Sequence, residues 1–241
     1  MEKLRDLIRK VMPEYGFLPV VAAFMFNNVV YGGSKIIAGS WYHHNIESSY
    51  DTMIPFIPQT LIIYFGCYLF WIANYILIAK QDKKSVYQFF IGDFISRCVC
   101  LLFFLIYPTT NTRPDLAGGG FWNGAMGWLY GIDSASNLFP SIHCLVSWFC
   151  YIGIRGKKNI PLWYRSFSCI MAIAVFISTL TTKQHVIVDV AGGVLLAEIC
   201  FWVGRHTRLY VYYGRLFDRL TGKLFPDRKE VSSAEQKEST V

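Results

Sequence analysis

The sequence predicts an all-α polytopic membrane protein: a six-transmembrane-helix bundle with both termini cytoplasmic. Three observations predict it. Of 241 residues, 54% are hydrophobic, 17% aromatic and only 16% charged, which is too apolar for a soluble domain of this size. Six runs approach the roughly 20 apolar residues that cross a hydrocarbon core of about 30 Å. The Lys and Arg residues gather in alternate connections between those runs, as cytoplasmic loops do.

Taken in order, residues 1–16 form a cytoplasmic segment carrying Lys3, Arg5, Arg9 and Lys10. Its polar first ten residues are unlike a cleavable signal peptide. The expected spans are 17–38, 53–79, 86–107, 140–154, 161–181 and 185–204, and together they make 17–204 one transmembrane domain. Asn27, Asn28 and Lys35 interrupt the first span. Lys80, Lys83 and Lys84 join spans two and three, and Arg155, Lys157, Lys158 and Arg165 join four and five. Residues 205–241 form a basic cytoplasmic tail whose end, polar after Gly222, is predicted to be disordered. Nineteen of the 23 basic residues thus fall on one side, leaving Lys35, Arg97, Arg113 and Lys183 to be explained individually. The net charge of +7 is read as attraction to anionic inner-leaflet lipid, not to nucleic acid.

Chemistry-bearing residues collect on the opposite, non-cytoplasmic side. Span four opens with "FPSIH", where Pro140 suits the first helical turn and leaves the N–H groups of Ser141, Ile142 and His143 at the positive end, an anion site. Span six opens with "KQHVIVD", in which His185 and Asp189 share a helix face, so the carboxylate can hold one ring nitrogen while the other points onward. The loop "TNTRP" adds Arg113, a permanent cation suited to phosphate oxygens. Any one of these has an ordinary structural reading. Their conjunction on one membrane face points to function, because ionisable groups near spans are costly.

Other features divide less sharply. Asp93 and Arg97, four apart in span three, read as a structural ion pair before a catalytic one. Residues 118–137, with Trp122, Trp128 and Tyr130 among glycines, fit either an interfacial segment admitting lipid or an ordinary interfacial loop. His43, His44, Glu47 and Asp51 share the first outer loop, but adjacent histidines point different ways, which argues against a metal site. All seven cysteines lie in apolar runs at spacings that support neither zinc nor a disulfide framework.

The three polar blocks resemble the type 2 phosphatidic acid phosphatase superfamily of membrane lipid phosphate phosphatases. Its pattern is Lys-x6-Arg-Pro, then Pro-Ser-Gly-His, then Ser-Arg-x5-His-x3-Asp. Here the first block reads Arg113-Pro114 with Ile106 where the lysine would stand; the second reads Pro140-Ser141-Ile142-His143, with isoleucine for glycine. The third reads Ser178-Thr179, five residues, His185, three residues, Asp189, with threonine for arginine. The resemblance spans about residues 86–204, and its departures look more like the branch containing inositol phosphorylceramide synthase.

The resemblance implies a two-step phosphoryl transfer without metal or cofactor. His185 is the expected nucleophile, Asp189 its orienter and His143 the general acid and base. Arg113, Ser141, the amide of Ile142 and Lys183, which stands in for the missing motif cations, are expected to bind phosphate. The expected partners are the bilayer and a membrane lipid phosphate, phosphatidate-like or polyprenyl, met by a multi-pass cell-membrane enzyme at its non-cytoplasmic face. Three readings follow: a lipid phosphatase first, a phospholipid head-group transferase second, and a transporter or scaffold without histidine dependence third. The sequence leaves the oligomeric state open.

Overall fold

The computed structural model describes residues 2–116 and 118–226. In chain order it contains α1 (Glu2–Val11), α2 (Glu14–Ala38), the short strand β1 (His44–Asn45), α3 (Ser49–Met53), α4 (Leu61–Ala79) entered through a 3-10 turn at Pro58–Thr60, and α5 (Lys83–Ile106). Then come strand β2 (Thr109–Thr110), α6 (Phe121–Ile132), α7 (Ile142–Ile154), α8 (Leu162–Thr181), α9 (Ile187–His206) and α10 (Leu209–Leu224). Five of these helices are long and apolar enough to cross a membrane, with the 3-10 turn counted into the second. The thirteen-residue α7 is the shorter apolar sixth, and an all-α polytopic architecture is what the chain adopts.

The sequence reading of spans agrees with α2, α4, α5, α7, α8 and α9 to within a few residues, except that 53–60 lie outside α4, the last three of them in the 3-10 turn. It missed the helical state of four other segments. α1 and α10 flank the bundle, α3 sits in the first long connection, and α6 turns part of the expected 118–137 loop into a helix. The expected tail 205–241 is thus helical through Leu224, and the expected disordered end from residue 227 onward lies outside the described residues.

α7 is the axis of the bundle. Eleven of its thirteen residues are buried, and it packs on α4, α8 and α9. At 1.5 Å per residue it is about 20 Å long, shorter than the α4, α8 and α9 on which it packs. Close packing of α5 on α9 depends on Gly204, where a Cβ would stand 2.2 Å from the Gln88 carbonyl oxygen. Aromatic and aliphatic side chains fill the centre, Tyr75, Phe89, Phe90, Leu145 and Phe149 among them.

One charged pair lies inside that apolar centre. Arg97 Nη2 donates to Asp93 Oδ1 at 2.9 Å, Tyr75 Oη donates to the same oxygen at 2.6 Å, and Arg97 Nη1 donates to Ser96 Oγ at 3.0 Å. A buried charge persists when it is paired in this way. The interactions tie α4 to α5 well inside the bundle.

The basic segments meet at one end. Arg5 and Arg9 bond Glu14, Tyr15 donates to the Gln81 carbonyl, Lys83 pairs with Asp218 and Lys157 bonds Ser85. At the other end β1 pairs with β2 in parallel, drawing the first long connection onto the segment after α5. Ile57 donates its N–H to the Thr181 carbonyl, closing the same end between α3 and α8.

Candidate active site

His143 stands at the start of α7 because Ser141 caps that helix, its hydroxyl accepting from the Cys144 N–H at 3.3 Å. Two details differ from the sequence expectation. Pro140 precedes the cap instead of opening the first turn, and the Ser141 N–H is already donated to the Asp189 carbonyl at 3.1 Å. Among the described residues, the amides of Ile142 and His143 remain without an acceptor, so the set of free N–H groups at this terminus is smaller than expected. Gly193 permits this approach of α9 to α7: a Cβ there would stand 2.6 Å from the Ser141 carbonyl oxygen.

His185 lies in the turn before α9, not on the helix as its spacing from Asp189 suggested, because α9 begins only at Ile187. The pair still meets. Asp189 Oδ2 accepts the Val186 N–H at 3.0 Å, and His185 Nδ1 stands 3.3 Å from the same oxygen. With a proton on Nδ1, this contact holds the ring and leaves Nε2 with its lone pair outward. The turn itself is folded by Thr179, whose carbonyl accepts the N–H groups of both Gln184 and His185. The residue at the motif's missing arginine position therefore shapes the turn that carries the nucleophile candidate.

The two histidines face each other with ring centroids 5.8 Å apart, and each is only 8% exposed. An aromatic wall encloses His143: Tyr64 at 4.5 Å, Trp71 at 5.5 Å and Tyr68 at 6.2 Å between centroids. These residues come from α4, which the sequence motifs do not include.

Arg113 also reaches this end. Its Nη1 donates to the Asp133 carbonyl at 2.6 Å and its Nη2 to Gln184 Oε1 at 2.9 Å, while the guanidinium lies 4.2 Å over the Tyr130 ring. Burial lowers the Arg113 pKa from its ordinary value, against the pull of Asp133. The Tyr130 phenol, pushed up to about 12 by burial, donates to the Thr182 carbonyl. Lys183 has a left-handed backbone, φ 53°, and its Nζ donates to the carbonyls of Asp51 and Ile54 at 2.8 and 2.7 Å. That ammonium ties down the connection between α2 and α4. Ile106, at the motif's lysine position, is 77% exposed.

Several residues of this end belong to none of the three motif blocks. Lys35 pairs with Asp133 Oδ1 at 2.5 Å, Tyr31 donates to the same oxygen, and Tyr64 Oη donates to Oδ2 at 3.4 Å. Burial pushes the Asp133 carboxyl up, but Lys35 and Tyr31 outweigh it and hold the group below its ordinary range. Asp51 clamps α9 from outside, its Oδ1 accepting the Ile187 N–H at 2.7 Å and its Oδ2 the Ser48 N–H at 2.8 Å. Burial again raises the carboxyl, and the bonds from Ser48 and Ile187 bring it below its ordinary value. His44, from the same connection, stacks on Tyr107. No cluster of three or more His, Cys, Asp or Glu that could hold a metal ion occurs among the described residues.

What marks this end chemically is a set of buried polar atoms without partners: His143 Nε2, Asp189 Oδ1, Arg113 Nε, Gln184 Nε2, Asn111 Oδ1 and Asn137 Oδ1. Folded proteins satisfy nearly all buried polar atoms, so such a concentration marks a place built to receive polar groups. It brings together an imidazole held by a carboxylate, a second imidazole facing it and a guanidinium. A family model described as the PAP2 superfamily matches residues 40–203. No curated protein matches the chain, and neither does any solved structure.

Proposed function

The chain belongs to the PAP2 superfamily, a phosphatase-type family of lipid phosphoesterases, and from that premise we propose that it is an integral membrane lipid phosphatase. It hydrolyses a phosphomonoester or diphosphate of a phosphatidate-like or polyprenyl lipid. The observation that carries the reading is the facing pair of buried histidines, one of them held by Asp189, at one end of an apolar helical bundle.

In this mechanism His185 Nε2 attacks phosphorus, the bond to the lipid oxygen breaks, and His143 gives its proton to the departing alkoxide. A phosphohistidine remains, with Asp189 stabilising the positive ring. Water then gives a proton to His143 and attacks phosphorus, releasing His185 and inorganic phosphate. Arg113, the Ser141 hydroxyl and the amides of Ile142 and His143 stabilise the equatorial oxygens, and no metal takes part. The concentration of Lys and Arg at the opposite end supports a site at the non-cytoplasmic face.

A second reading, transfer of a phospholipid head group to a lipid alcohol, draws support from one observation. The aromatic wall of Tyr64, Tyr68 and Trp71 restricts water beside His143 and suits an apolar acceptor. Both readings are tested by measuring phosphate release from phosphatidate, lysophosphatidate and undecaprenyl mono- and diphosphate, in detergent with a chelator present. Release that disappears in His185→Ala supports the phosphatase. No release from any substrate overturns it and turns the assignment to transfer, measured with labelled phospholipid and a diacylglycerol or ceramide acceptor.

A further inference from the structure

The matched motif provides this chain with fewer phosphate cations than its pattern calls for. Ile106 replaces the lysine, Thr179 replaces the arginine, and Lys183 is bonded to the Asp51 and Ile54 carbonyls. Two phosphoryl charges would then face Arg113 alone, and that guanidinium is already engaged by Asp133 and Gln184. A phosphoryl transition state needs its equatorial charge met by fixed cations or donors.

The last turn of α2, outside the residues matched by the family model, holds a further cation at this end. Lys35 Nζ meets Asp133 Oδ1, and the backbone carbonyl of that same residue accepts from Arg113. Asp133 thus brings together the family's arginine and a lysine from a distant helix. A second path leads from it to the general-acid candidate: Tyr64 donates to Asp133 Oδ2 and its ring lies tilted against the His143 ring at 4.5 Å between centroids. Asn137, three residues before Pro140, donates to Ser34 Oγ and ties the adjacent residue of α2 to the approach of the second motif block. The chain joining α6 to α7 is therefore fastened to α2 where Lys35 stands.

We propose that Lys35 is the second phosphate-contacting cation of this site, held ready by Asp133 and transferred to the incoming phosphoryl oxygens. The assignment rests on the phosphoryl-transfer reading above, whichever acceptor the enzyme uses. Asp133 is a positioning residue, which keeps Tyr31 and Tyr64 as donors when the ammonium turns to substrate.

Orthovanadate, a phosphate-shaped oxyanion, separates this proposal from the choice of substrate. Its binding to the full chain in detergent is read from protection against thermal unfolding, alongside phosphate release from phosphatidate. Lys35→Met is expected to weaken vanadate binding roughly 10- to 100-fold, and Lys35→Arg to restore most of it. Asp133→Asn keeps a partner for Tyr31 and Tyr64 but loosens the hold on the ammonium, so vanadate binding is expected to weaken by less than in Lys35→Met. Wild-type binding retained in Lys35→Met overturns the proposal and leaves the phosphatase reading standing. Equal loss in Lys35→Met and Asp133→Asn assigns the pair a structural role and also overturns it. A wild-type protein that binds no vanadate overturns both readings.

Discussion

At one end of the bundle Arg5, Lys83, Arg155 and Lys157 each meet a carboxylate contributed by another segment. At the other, Arg113, His143, Gln184 and Asp189 each keep a buried polar atom without a partner. The first end has its own unpartnered atoms, Arg165 Nε and Thr221 Oγ1, but these stand singly on α8 and α10. Both ends are polar, so polarity does not tell them apart. Satisfaction does: charges that only hold segments together find each other, whereas groups kept for a ligand bear an unmet cost until it arrives.

The largest expected effect comes from the unmet end. His143→Gln should lower kcat roughly 10²- to 10⁴-fold on a lipid alkoxide leaving group. The loss should be much smaller on an ester with a p-nitrophenolate leaving group, which needs no proton. An equal loss on both substrates would remove His143 from the general-acid role.

The buried pair inside the bundle gives a contrasting case. Asp93→Asn leaves the Arg97 charge uncompensated and should destabilise the protein by about 3–5 kcal/mol. The folded variant should keep its kcat. Unfolding in detergent followed by circular dichroism, with turnover measured below the transition, checks both statements.

Asp51 lies between these extremes, since it is fully bonded yet belongs to the end with the unmet polar atoms. Asp51→Asn should cost about 1–3 kcal/mol by weakening the contacts to Ile187 and Ser48. Its folded-state pKa is below the ordinary 3.8, because the bonds from Ser48 and Ile187 outweigh burial. Its stabilisation is therefore fully present above that ordinary value and is lost as pH falls through the lowered one. Wild-type stability measured from pH 5 downward should show this loss, and Asp51→Asn should show less of it.

The smallest effect is expected at the paired end. Arg155 and Glu198 are 42% and 36% exposed, so Arg155→Gln should change stability by less than about 1 kcal/mol and leave turnover unchanged. A large loss of activity in this variant would break the division between the two ends.

The apolar spans were legible because a helix in hydrocarbon needs a long run without charges, and that requirement is local. The His185–Asp189 pairing was legible for the same reason, since four residues bring two side chains together even though α9 starts later than expected. Lys35, Asp51 and Asp133 were not legible as site neighbours. Each acts on a residue dozens of positions away in sequence, and only the packing of α2, α3 and α6 against the motif segments brings them near. Lys183 is a related case: proximity to His185 in sequence suggested a place beside the site, and its left-handed backbone and two carbonyl acceptors direct its ammonium to residues 51–54. The helical state of α6 was hidden by its glycines, which lower local propensity while an apolar face still packs Met126 and Leu129 against Leu61 and Tyr64.

The most direct test of the central claim is to trap the covalent intermediate. Rapid acid-free quenching of the wild-type protein turning over a ³²P-labelled lipid phosphate should yield a base-stable, acid-labile label. The account predicts that this label maps to the peptide containing His185 and is absent from His185→Ala. Full turnover by His185→Ala, or a label that maps to His143 instead, would contradict it.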